Sequence, residues 1–239
     1  MDGVPRQDAR GTQSQRDSDA EQGRISEGIA ETPTYSPAMS SNLRKPRDAY
    51  HHGNLRDAIL RVARRELDLG AYESLSLREL AKRAGVTANA PYRHFASKEE
   101  ILAELAAEGF RELSARFDAY AEPDPRTRLI RMSDLYTGYA MDYPHLYRLM
   151  FGMEKAALME HTPLHEAATA CFGRLVEGVA RAGRTGGIDD PMTLRRANAI
   201  WAIVHGWSRL TIDGMTHFQP IDAKPPAAEI VAAFVAGWS

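Results

Sequence analysis

Apolar residues recur every three or four positions through most of the chain, and no stretch alternates apolar with polar long enough to read as a strand. The pattern predicts an all-α protein. A first helix spans 54–69, with Leu55, Ile59, Val62, Ala63 and Leu67 as its buried stripe and Gly70 as its stop. Two short helices and the start of a third crowd into 75–100, LSLRELAKRAGVTANAPYRHFASKEE. The third runs from Lys98 to about residue 120, and Pro123 and Pro125 then break the chain. Further helices are predicted over roughly 126–142, 145–150, 163–182, 191–213 and 227–236. Gly183, Gly186 and Gly187 mark one turn, and Pro220, Pro225 and Pro226 mark a loop before the last helix. There is no internal repeat.

The signals within 75–100 can be taken residue by residue. Ser76 is an N-cap with Glu79 three residues on, a capping box, and Leu75 and Leu80 are spaced for the hydrophobic staple. Leu77, Leu80, Ala81 and Ala84 form the buried stripe, and Gly85 supplies the left-handed stop. Thr87 can cap a second short helix over 88–95, and Ser97 with Glu100 repeats the capping box. Helix, tight turn and short helix make a helix-turn-helix. Ala88, Asn89 and Ala90 leave the front of the second helix small enough for a major groove. Asn pairs bidentately with adenine, and Ala meets a thymine methyl. Tyr92, Arg93, His94 and Lys98 carry donors suited to phosphate oxygens. Val86 and Phe95 are the core anchors. Pro91 falls at the edge of the first turn and costs at most one intrahelical hydrogen bond. Three amphipathic helices of an ordinary α-domain would account for the leucines. They account less well for a helix whose polar residues are Asn, Tyr, Arg and His with no acid.

The runs YHHGNLRDAILRVARREL, LSLRELAKRAGV and TANAPYRHFASKEEILAELAAEGF, within 50–113, resemble the N-terminal domain of TetR/AcrR-type transcriptional regulators. The resemblance implies that the second and third helices read DNA. Ser76 and Thr87 would touch phosphates, Asn89 with Ala88 and Ala90 would face bases, and Tyr92, His94 and Lys98 would grip the backbone. Pro91 departs from the family pattern, which has a plain aliphatic residue there.

Charge and composition change this picture little. The 239 residues carry a formal net charge of −2 and are 44% hydrophobic, so no overall basic field advertises nucleic acid. The excess of bases over acids between 46 and 93 is mild, with His51 and His52 able to add to it. Residues 1–45 are rich in Gln, Ser, Asp, Arg, Gly and Pro and read as a disordered tail. Its basic end, 42–47, is spaced to reach a minor groove, a solvated linker being the simpler alternative. The expected division is therefore a tail over 1–45, a helix-turn-helix domain over 46–97 and a helical domain over 98–239. The single cysteine, Cys171, permits no intramolecular disulfide and reads as a small buried apolar residue. No run approaches a membrane span or a signal-peptide core, and a cytoplasmic location is expected.

In the second domain, ANAIWAIVHGWSRLTIDG over 197–214 is apolar nearly all round and should be buried in its domain or against a partner. Together with DYPHLYRLMF over 142–151, it resembles the C-terminal domain of a TetR subgroup named for a Trp-His-Gly signature. The resemblance implies a homodimer through the last two long helices, 191–213 and 227–236, with Gly206 permitting close contact. It also implies an operator of double-stranded DNA and a small-molecule effector that releases the protein from it. Candidate cavity residues are Tyr136, Tyr139, Tyr143, Met150, Phe151, Phe172, Trp201, His205 and Arg209, each of which could equally be core.

Two other chemistries have partial signals in the chain. His161 and His165 stand four apart near Glu160, Glu166 and His145, a spacing a metal sensor could use, but Pro163 lies between them. No metal site or cofactor signature is therefore assigned. Ser208 lies three residues from His205 without an acid partner or oxyanion element, so no enzyme is expected. A helical interaction protein that does not read DNA and a metal-responsive sensor using the second-domain histidines are the alternatives.

Overall fold

The computed structural model describes residues 52–71, 76–153, 160–218 and 226–238. The expected tail, its basic end, Leu75 of the staple and the Pro220 and Pro225 positions lie outside them. Every regular element among the described residues is helical. In chain order they are α1 (His52–Asp68), α2 (Leu77–Arg83), α3 (Lys98–Ala119), α4 (Pro125–Asp142), α5 (Pro144–Gly152), α6 (Thr162–Gly183), α7 (Pro191–Ile212) and α8 (Ala227–Ala236). Two 3-10 segments, Pro91–Arg93 and Met215–Phe218, punctuate them.

The helix starts follow local chemistry. Asp124 caps α4 by accepting the Thr127 N–H at 2.8 Å, and Asp190 caps α7 through the Thr193 N–H at 3.1 Å. Both helices then begin with proline, whose missing N–H is no loss in a first turn. His161 is itself the cap of α6, its Nδ1 accepting the Leu164 N–H at 3.2 Å.

α3 is the central helix and packs against α1, α4, α5 and α6. It buries Ile101, Leu105, Phe110, Leu113 and Phe117, and joins one continuous core that runs from Ile59 and Leu67 of α1 to Val231 and Val235 of α8. Tyr139 and Tyr147 are fully buried within it. At about 1.5–3 kcal/mol for each large side chain withdrawn from water, this core is the main stabilising term. No helix among the described residues is long and apolar enough to cross a membrane.

Candidate nucleic-acid interface and ligand cavity

α2 begins on Ser76, whose Oγ accepts the Glu79 N–H at 3.2 Å. The Glu79 carboxylate turns instead to Arg83 at 3.2 Å, so half of the capping box forms. The helix ends in a Schellman motif. Gly85 sits at φ +71°, the Val86 N–H reaches the Ala81 carbonyl at 2.9 Å, and the Gly85 N–H reaches Lys82 at 3.1 Å. Arg83 also pairs with the buried Glu66 of α1.

The expected α-helix over 88–95 does not form. The Ala90 N–H bonds the Thr87 carbonyl at 2.9 Å, three residues back, and Pro91 has no N–H with which to continue the ladder. Arg93 and His94 then donate to Ala90 and Pro91 at 3.3 and 2.9 Å, again three residues back. A single 3-10 turn, Pro91–Arg93, results. The proline is buried beside Phe95, which is 1% exposed, so one residue both anchors the segment and ends its α geometry. Ser76, Thr87, Ala88, Asn89, Tyr92 and Arg93 are exposed, while Ala90, His94 and Lys98 are half-buried.

Two carboxylates of α3 hold α1. Glu104 pairs with Arg56 at 2.6 Å, and the Arg56 guanidinium lies 5.4 Å from the Phe95 ring centre. His161 at the start of α6 lies 3.5 Å from the same carboxylate. Glu112 takes Arg64 bidentately at 2.9 and 3.2 Å and the Tyr139 hydroxyl of α4 at 2.8 Å. Burial works to lower the Arg64 pKa, but Glu112 and Asp68 raise it by more, so the net shift is upward. Burial and the Glu112 charge push Tyr139 upward. Glu108, one turn earlier on α3, is also raised, first by burial and then by Glu112.

A cavity of about 490 Å³ lies among α3, α4, α5, α6 and α7. Phe110 and Phe117 of α3 form one wall, and Leu129, Met132, Ser133 and Tyr136 of α4 form another. Met150, Phe151, Phe172, Ile200 and Val204 enclose it further, with His165, Thr169, Asn198 and Trp201 also on its lining. Tyr136 belongs to a polar chain that continues behind the lining. Its hydroxyl is 3.0 Å from that of Tyr147, which is 2.8 Å from His205 Nδ1. Burial, then the charge of Arg209, lowers the His205 pKa. Burial raises Tyr136 as well, and raises Tyr147 to about 12.

Of the residues proposed from sequence for a cavity, Tyr136, Met150, Phe151, Phe172 and Trp201 line this one. His205 stands one layer behind. Tyr139 and Tyr143 fall on the neighbouring stripe of α4, toward α1 and α3, where Tyr143 lies under Arg64 and Arg116 at 5.2 and 5.4 Å. Arg209 pairs with Asp213 at 3.3 Å. Sequence reasoning missed the α3 wall. Phe110 and Phe117 are seven apart and share a face, but that spacing is equally the signature of plain core. Cys171 also lines the cavity, its thiol pushed up to about 11 by burial. The histidines do not converge: His145 packs against Gly70, His161 faces Glu104 and His165 lies at the cavity. Among the described residues no group of three or more His, Cys, Asp or Glu is placed to hold a metal ion.

Comparison with known proteins gives the architecture a family. Residues 59–105 match the family described as bacterial regulatory proteins, tetR family. Residues 129–234 match the tetracyclin repressor-like C-terminal domain. Neither match singles out the Trp-His-Gly subgroup. Among solved structures, a Rhodococcus sp. RHA1 protein of unknown function is 32% identical, with 81% of this chain and 96% of that one covered at a TM-score of 0.63. A candidate regulatory protein, SCO4313, is 23% identical over 78% and 97% of the two chains, with a TM-score of 0.59. A TetR/AcrR-family transcriptional regulator from Thermobifida fusca YX-ER1 is 20% identical over 77% and 95%, with a TM-score of 0.53. No curated protein matches. With both family matches falling on the helix-turn-helix and on the helices around the cavity, this chain belongs to the TetR family and is a DNA-binding transcriptional regulator, not an enzyme.

Proposed function

We propose that the protein is a homodimeric repressor that leaves a palindromic operator when a small molecule enters the cavity. One observation carries this reading: α3 is both a wall of the cavity, through Phe110 and Phe117, and the helix tied to α1 by Glu104–Arg56 and Glu112–Arg64. A ligand that repositions α3 therefore acts on the DNA-binding helices. By its differential affinity for the two arrangements, it favours the free form.

In this reading residues 46–97 are the DNA-binding domain and 98–239 the ligand-binding and dimerisation domain, working in the cytoplasm. Asn89, flanked by Ala88 and Ala90, reads bases from the exposed side of the recognition turn. Ser76, Thr87, Tyr92, Arg93, His94 and Lys98 contact phosphates and set register. The dimer forms through α7 and α8. Leu194 and Trp201, seven residues apart on α7, and Phe234 of α8 are exposed, and a Cβ built on Gly206 meets nothing within 4 Å. A second copy on this face would bury these side chains. It would also set two recognition turns about 34–36 Å apart, one helical repeat of DNA.

The test is selection of genomic fragments by the purified protein at moderate salt, followed by sequencing. One inverted-repeat motif is expected. Asn89→Ala should lose about 1–3 kcal/mol of discrimination at one position of each half-site. Tyr92→Phe should instead weaken all sequences alike. Retention without a motif, or an unchanged preference in Asn89→Ala, would remove this reading of the turn.

A further inference from the structure

Among the described residues, the cavity lining contains no Asp, Glu, Lys or Arg. Three charged groups on the surrounding helices are matched elsewhere. Arg174 holds Asp118 at 2.6 Å, Arg209 faces Asp213, and Glu112 is bound by Arg64 and Tyr139. Burial keeps the Cys171 thiol protonated near neutral pH. A carboxylate or ammonium drawn among Phe110, Phe117, Leu129 and Met132 would lose hydration and find no counter-charge.

The polar chain at Tyr136 offers a different kind of partner. When His205 Nδ1 accepts, Tyr147 donates to it and Tyr136 donates to Tyr147, leaving a lone pair on Tyr136. When Nδ1 carries the proton and donates to Tyr147, the nearer of its two hydroxyl neighbours at 2.8 Å against 3.3 Å for Tyr136, the chain reverses and Tyr136 keeps its O–H. The one member of this chain that lines the cavity can thus serve a neutral donor or a neutral acceptor. Thr169 and Asn198, both exposed, add neutral polar groups at the mouth, and His165 adds an imidazole.

We infer that the cavity admits uncharged, largely apolar molecules bearing a hydroxyl, carbonyl or amide, and rejects acids and cations of the same shape. Its volume of about 490 Å³ has room for roughly 16 non-hydrogen atoms at about 30 Å³ each, the share of one water in the liquid. This inference rests on the cavity being the effector site only where release of DNA is concerned, and the experiment separates the two.

Three probes share one ring frame: biphenyl-4-methanol, biphenyl-4-carboxylate and biphenyl-4-methylammonium. Each is titrated calorimetrically into the full chain at pH 7, with retention of operator DNA followed in parallel. The alcohol should bind at least tenfold tighter than either ion, about 1.4 kcal/mol. Thr169→Trp, at an exposed position on the lining, should abolish its heat, and Ala168→Trp provides a second block deeper along α6. Equal or tighter binding of either ion overturns the inference. So does a parent that binds no alcohol, or binding that persists unchanged in both blocked variants. Alcohol binding with unchanged DNA retention supports the charge selection and removes the cavity's reading as the effector site.

Discussion

Glu112→Gln tests whether α1 is held in place by the carboxylates of α3. The native carboxylate accepts two bonds from Arg64 and one from Tyr139. The pair is neither fully buried nor free: the side chains are 15% and 35% exposed. A fully buried pair broken on one side costs about 3–5 kcal/mol, and an exposed one about 0–1 kcal/mol. Gln keeps the shape and one acceptor oxygen. Arg64 keeps Asp68 at 3.2 Å and the face of Tyr143. A loss of about 1–2 kcal/mol is therefore expected, which lowers Tm by roughly 2–8 °C in a body of this size. The assay is thermal unfolding followed by circular dichroism at one fixed protein concentration, since an oligomer's midpoint moves with concentration. Glu108→Gln is the control. Its folded-state pKa is raised by burial and by Glu112, so the fold disfavours its charge and the neutral variant should lose no stability at pH 7. A double-mutant cycle with Tyr139→Phe should return a coupling of about 0.5 kcal/mol or more. A Tm within about 1 °C of the parent, or strict additivity with Tyr139→Phe, would refute the reasoning.

Two further outcomes follow from single residues. Pro91→Leu restores the missing N–H opposite the Thr87 carbonyl, so the recognition segment should become α-helical with the new amide protected from hydrogen exchange; an unprotected amide would show that something other than the proline holds the 3-10 geometry. The folded-state pKa of His205 lies below its ordinary 6.5 because of burial and Arg209, so its contribution is complete above 6.5 and is lost as pH falls through the lowered value. The parent's Tm should drop on acidification by more than that of His205→Asn, and identical pH profiles would contradict this.

How much of this was legible in sequence depends on how local the cause is. The 227–236 helix coincides with α8, and both the Ser76 cap and the Gly85 stop sit where the sequence puts them, because caps and glycine stops act within a few residues. Pro91 was legible as a cost but not as an outcome. Whether one missing N–H shortens a helix to a 3-10 turn depends on what else anchors the segment. Here the anchor is burial of the proline itself beside Phe95, a tertiary fact. The cavity illustrates the same limit. Tyr136 and Tyr139 are indistinguishable as sequence, yet a rotation of about 60° around α4 puts one on the cavity and the other on Glu112. Phe110 and Phe117 carried no signal at all beyond apolar spacing.

That helix is also where cavity and DNA-binding turn meet. α3 has 22 residues, from Lys98 beside the recognition turn to Ala119. Glu104 and Glu112 lie two turns apart along it, about 12 Å, and each grips an arginine of α1. Between them, Phe110 stacks edge-on against Phe151 of α5 with ring centres 5.3 Å apart, and both rings line the cavity. A molecule that parts these rings must move α3 relative to α5, and two clamps oblige α1 to follow. Removing one clamp should therefore weaken the coupling between cavity and DNA without altering the cavity. In Glu112→Gln the affinity for biphenyl-4-methanol should stay within a factor of about two of the parent, while the alcohol's effect on operator affinity should shrink. Couplings of this kind are typically about 1–3 kcal/mol, and linkage requires the same loss in the reverse direction, operator acting on alcohol binding. If the variant keeps the parent's full coupling, the signal passes by another route, with Glu104 and Arg56 the next pair to sever.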